Sequence, residues 1–83
     1  MIWRWNKALH YWWSPDGNGG EWRIYPVHDG VCRNPACTFL DHFVAYPAHV
    51  VHVGSYGSLG LACGEAERRQ ARMNARRVSQ SVR

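Results

Sequence analysis

No stretch of this 83-residue sequence is long and apolar enough to cross a membrane as a helix. The nearest approach, IWRWNKALHYWW at residues 2–13, is short and interrupted by Arg4, Asn6, Lys7 and His10. No small-residue cleavage pattern follows it, as a secretory leader would require. With only three cysteines, a disulfide scaffold would leave one thiol unpaired. A reduced, cytoplasmic setting is therefore expected, and there cysteine clusters more often bind metal. Internal repeats and low-complexity linkers are also missing, so the chain reads as one small domain. What is present argues against disorder: 46% hydrophobic residues, with five tryptophans among them, give the chain apolar surface to bury. At this size a single core is marginal, and a metal or a partner often supplements it.

The charge is unevenly placed. Up to Cys63, Arg4, Lys7, Arg23 and Arg33 cancel Asp16, Glu21, Asp29 and Asp41. Beyond it, Arg68, Arg69, Arg72, Arg76, Arg77 and Arg83 face only Glu65 and Glu67, so the formal net charge of +4 arises in the last segment. Such asymmetry bears on partners rather than on fold.

Three regions follow from the pattern. Residues 1–27 alternate aromatic and polar positions on either side of SPDGNGG, which predicts a Trp-rich β-hairpin. Pro26 suggests that the end of its second strand lies at an edge. Residues 28–63 hold a cysteine–histidine loop and two short β-branched or aromatic runs, TFLDHFVAY and VVHVGSY, read as a second hairpin around Pro47. Residues 64–83 are rich in Ala, Arg, Glu and Gln and predict a helix over about 64–79. Its apolar stripe is Ala71, Ala75, Val78 and Val82. The expected architecture is a small α+β domain: hairpin, knuckle with a second hairpin, basic helix.

Cys32 and Cys37 bracket a turn at Asn34-Pro35, and Cys63 is expected just before the helix, where the backbone N–H groups favour a thiolate. Two thiols on a turn and one at a helix start make most of a tetrahedral Zn2+ site. His42 is the first choice for the fourth ligand, with His28, His52 and His49 as alternatives. The plain alternative is that all three cysteines are small core hydrophobes.

From Cys32 onward, the order Cys-x4-Cys, Asp41-His42, SLGLAC and a basic helix resembles the HNH-type endonucleases, a treble-clef zinc-finger-like ββα-metal family. That resemblance covers residues 31–72 and implies His42 as a general base with Asp41 near a catalytic metal. Ser58, Ala66 and Glu67 stand where the family has an asparagine, a cysteine and a histidine. These departures favour a treble-clef-like zinc fold without catalysis. In size and in Trp and Arg content the chain is also similar to short zinc-binding proteins encoded by actinobacterial phages.

Arg68, Arg72 and Arg76 share one helix face, with Arg69 and Arg77 beside them, and a stripe of this kind suits a phosphate backbone. An acidic protein surface or plain solvation would use the same residues. Trp12 and Trp13 are neighbours on a strand and must point to opposite faces, so at least one is expected at the surface unless both faces are covered. An exposed tryptophan anchors interfaces or stacks on bases. The leading expectation is a zinc-stabilised, non-catalytic module that binds nucleic acid. The alternative is a protein-interaction module that inhibits or redirects a host enzyme through its Trp-rich surface. A membrane surface is not expected, because the predicted helix lacks large apolar residues opposite its arginines.

Overall fold

A computed structural model of the chain describes residues 1–26 and 38–81, with side chains as far as Arg76. They form an α+β domain of β1 (Arg4–Asn6), β2 (Tyr11–Pro15), β3 (Glu21–Tyr25), β4 (Thr38–Val44), β5 (His49–Tyr56) and α1 (Leu59–Ser81). The strands pair antiparallel in chain order as one sheet, and α1 packs over β3, β4 and β5. No helix among the described residues is long and apolar enough to cross a membrane.

The two-residue period of a strand sends alternate side chains to opposite faces. Registers Trp12↔Ile24, Ser14↔Trp22, Trp22↔His42 and Ile24↔Leu40 put these residues on the face that α1 covers. Trp22, Ile24 and Leu40 close around Ala62 and Ala66 of the helix, and all five are essentially inaccessible. Each of the three large side chains contributes about 1.5–3 kcal/mol by leaving water. Ala62, Ala66 and Gln70 recur every four residues, and the two alanines let the helix approach the sheet closely. On β5, Leu40 pairs with Gly54 and Asp41 with His52, so Val53 is the extra residue of a bulge and packs against the core.

Four details differ from the sequence expectation. The run IWRWNKALHYWW is two strands, not one. Asn6 Oδ1 accepts from the Leu9 N–H and the Asn6 carbonyl from the His10 N–H, folding residues 7–10 into a turn with His10 at φ 57°. The turn breaks the parity, so Trp5 lies across from Trp12 while Tyr11 and Trp13 take the other face. Pro26 does not mark a sheet edge: β3 is paired on both sides and ends at Tyr25. The helix begins at Leu59 rather than Gly64, because the Ser58 hydroxyl accepts from the Leu61 N–H at 3.2 Å and caps the first turn. Finally, the packed face of α1 carries Ala62, Ala66 and Gln70, whereas Ala71 and Ala75 are exposed; Val78 and Val82 lie outside the described side chains.

Candidate functional site

The site begins at the β2–β3 turn. Gly17 and Gly19 adopt φ of 80° and 84°, a region that side chains disfavour. They let the Asp16 Oδ1 accept the N–H of Asn18 at 2.7 Å and of Gly20 at 3.0 Å. A Cβ on Gly20 would stand 2.1 Å from the Phe43 carbonyl, so only glycine lets this turn lie against β4. That approach brings Asp16 Oδ2 within 2.8 Å of His42 Nε2. The His42 ring stacks on Trp22 at 4.0 Å and 11°, held by their cross-strand register.

Gln70 ties the helix to this unit. Its Oε1 accepts from Trp22 Nε1 at 2.7 Å, and its Nε2 donates to the Asp16 carbonyl at 2.7 Å and to Asn74 Oδ1 at 3.0 Å. The Asp16 side chain is 2% exposed and that of His42 12%. Burial pushes the Asp16 carboxyl up, but hydrogen bonds from His42, Asn18 and Gly20, with the His42 charge, outweigh it and hold it below the usual carboxylate range. The result is a fixed carboxylate that orients one histidine ring. The other ring nitrogen, Nδ1, has no partner among the described residues.

Beside this unit α1 presents its arginines. A hollow of about 170 Å³ is walled by Trp22, His42, Arg69, Arg72, Met73 and Arg76. A second, of about 370 Å³, is walled by Asp16, Asn18, His42, Met73, Val44 at the end of β4, and Ala45 and Tyr46 of the β4–β5 turn. His42 and Met73 belong to both. Glu65 binds Arg68 at 2.8 Å and Arg69 at 2.9 Å, and these two cations hold its carboxyl below the usual range; it lies 3.9 Å from Arg72. No described carboxylate pairs with Arg76.

The residues singled out by sequence are distributed as follows. Cys32, Cys37 and His28 lie outside the described residues. Cys63 sits inside α1 and not ahead of it, half-buried, and burial together with Glu67 pushes its thiol up rather than favouring a thiolate. His42 borders Arg69–Arg76, six or more residues along the helix from Cys63, which is about 9 Å or more of axis. His49 Nδ1 bonds the Pro47 carbonyl, and His52 Nδ1 bonds Asp41 Oδ1 at 2.8 Å. Among the described residues no three of His, Cys, Asp and Glu gather as a metal-binding group. Asp41 and His42 are successive on β4, point to opposite faces, and each has a different partner. The Arg68 and Arg72 side chains are about two-thirds exposed, at 64% and 66%. The Arg77 side chain lies outside the described set. Trp12 and Trp13 do take opposite faces, but both are half-buried: Trp12 against Trp5 and the core, Trp13 beneath Arg4.

Sequence reasoning misses Asp16 and Gln70. The available signals are an aspartate opening a glycine-rich turn and a glutamine continuing the Ala62, Ala66 row. Compared with known protein families, curated proteins and solved structures, the chain matches none.

Proposed function

We propose that this chain is a non-catalytic module that binds nucleic acid through the arginine side of α1. One observation carries the reading: Arg69, Arg72 and Arg76 converge with His42 on a single hollow, with Arg68 beside them at the surface. Guanidinium groups fork onto phosphate oxygens, and a concave cationic wall concentrates the field on them. Glu65 offsets only one of these four positive charges. Binding rather than hydrolysis is favoured because Asp41 and His42 occupy opposite faces and do not share a site.

The test replaces Arg68, Arg72 and Arg76 together with Gln. Helix propensity is kept, and none of the three belongs to the buried row Ala62, Ala66, Gln70, so the fold is expected to survive. Affinity for every nucleic-acid sequence should fall, and the slope of log K against log salt should drop by about one unit per lost phosphate contact. Unchanged affinity would remove the helix from the reading.

Zinc is the companion proposal, supported by the sequence: Cys32, Cys37 and Cys63 with one histidine. His42 borders Arg69–Arg76, well along α1 from Cys63, which favours His28 as the fourth ligand. One zinc per chain by elemental analysis, lost in Cys37→Ser, is the expected result.

A protein-interaction reading draws on the other face of the sheet, where Trp13, Tyr25, Phe39 and Phe43 lie together with exposed Val50 of β5. Docking there would be nearly insensitive to salt, which separates it from phosphate binding.

A further inference from the structure

The two hollows lie side by side. Both are lined by His42 and Met73, and taken together they make a groove with chemically different ends. At one end three guanidinium groups and an imidazole converge on about 170 Å³ floored by Trp22, which is 1% exposed. At the other, about 370 Å³ is walled by Val44, Ala45 and Tyr46, and the Tyr46 ring is 89% exposed.

We propose that this groove takes the phosphorylated end of a single nucleic-acid strand, with the terminal phosphate among Arg69, Arg72, Arg76 and His42 and the terminal base against Tyr46. The inference rests on the nucleic-acid reading above and adds which part of the strand is held.

Three points carry it. First, the charge matches a dianion better than a chain diester. Arg69, Arg72 and Arg76 face the hollow from α1 and His42 faces it from β4; the anionic groups nearby are Asp16, which bonds the far side of His42, and Glu65, which already bonds Arg68 and Arg69. A terminal phosphate monoester carries about −1.5 to −2 charges near neutral pH, as a phosphorylated side chain does, whereas an internal diester carries one. Second, His42 stands at the same hollow with its ring fixed: Nε2 bonds the Asp16 carboxylate, and Nδ1, without a partner among the described residues, is left for a ligand. Third, the exposed Tyr46 ring in the hollow adjoining the cationic one supplies the stacking surface that single-strand binders use. A strand end enters such a hollow with one ester arm; an internal phosphate would have to fit two.

The experiment measures binding of the full chain by fluorescence anisotropy to one short single-stranded oligonucleotide in 5′-phosphorylated, 3′-phosphorylated and hydroxyl-ended forms. A nucleoside monophosphate serves as competitor, which separates a strand end from a free nucleotide bearing the same chemistry. One phosphorylated form should bind about tenfold or more tighter than the hydroxyl form. Arg76→Gln should erase most of that advantage, weakening the phosphorylated form several-fold more than the hydroxyl-ended form. Tyr46→Ala should weaken the phosphorylated strand about tenfold. Both positions are exposed and outside the buried core, so the variants should fold. Equal affinity for all three strand forms overturns the inference and leaves backbone binding standing. A monophosphate that binds as tightly as the phosphorylated strand overturns it in favour of a free nucleotide. Failure of every strand to bind overturns this inference and the nucleic-acid reading together.

Discussion

On the helix side of the sheet, Trp22 is 1% exposed and its indole N–H reaches Gln70 at 2.7 Å. On the other side, Trp13 lies half-buried with the Arg4 guanidinium 5.9 Å from its ring centroid. The same contrast runs across both faces. Behind α1 the polar groups Asp16, His42 and Gln70 are matched by directed hydrogen bonds. On the open face Arg23 lies over Phe43 at 3.8 Å and over Tyr11 at 4.6 Å, while Tyr11 and Tyr25 meet at 5.3 Å. Directed bonds in a water-poor setting are specific and costly to break; cation–π contacts near water are adaptable and weak. Equal aromatic content therefore does not mean equal duty. One face sets the fold and positions a site, and the other shields its own aromatic rings.

The widest separation should come from truncating one tryptophan on each face. Trp22→Ala removes the centre of the core and leaves Gln70 Oε1 without its donor, and should cost about 3–5 kcal/mol, enough to unfold a marginal domain. Trp13→Ala loses a half-buried ring and one cation–π contact and should cost about 1–2 kcal/mol in the same urea titration. Equal losses would mean that the open face is a second core.

Acid should sharpen the contrast next. The Asp16 carboxyl is held below its usual range in the folded chain, so unfolding takes up a proton as the pH drops. Its contribution is fully present above the unfolded aspartate value of about 3.9 and is lost as pH falls through the lower folded value. Asp16→Asn should cost about 1.5–3 kcal/mol at pH 7 and should flatten the decline of stability below about pH 4. Melts from pH 7 to pH 2 check both parts. An acid limb as steep in the variant as in wild type would place the acid sensitivity elsewhere.

Part of this contrast is legible in the sequence. SPDGNGG and the β-branched runs around Pro47 announce two hairpins, and both form. The body of the helix follows from its Ala, Arg and Glu content. Its start does not, because Gly60 and Gly64 lower helix propensity and mask the Ser58 cap. Face assignment fails at residues 7–10, where the Asn6-centred turn reverses the parity that simple alternation would carry into β2. The arginine side of the groove is visible in part: Arg72 and Arg76 belong to the i, i+4, i+8 row, while Arg69 rather than Arg68 completes the wall. Its other half is not, since Asp16 and His42 are 26 residues apart and meet only because Gly20 lets the turn close on β4. The expected Cys32–Cys37 turn lies outside the described residues.

The smallest expected effect comes from one substitution made twice. Trp3 packs against the same core as Trp22, but its Nε1 is buried with no hydrogen-bond partner among the described residues. An unsatisfied buried donor costs roughly 1–3 kcal/mol. Trp3→Phe removes that donor along with part of a ring, so the two terms oppose and the net change should stay within about 1 kcal/mol. Trp22→Phe has no such relief. It deletes a 2.7 Å bond and leaves Gln70 Oε1 buried and unmatched, so cavity and desolvation terms add to about 2–4 kcal/mol. Denaturant titration of the two variants side by side compares them without reference to absolute stability. If Trp3→Phe costs as much as Trp22→Phe, the Trp3 indole N–H has a partner in the folded chain, and the contrast between directed and undirected aromatic packing would have to be redrawn at the N-terminal strand.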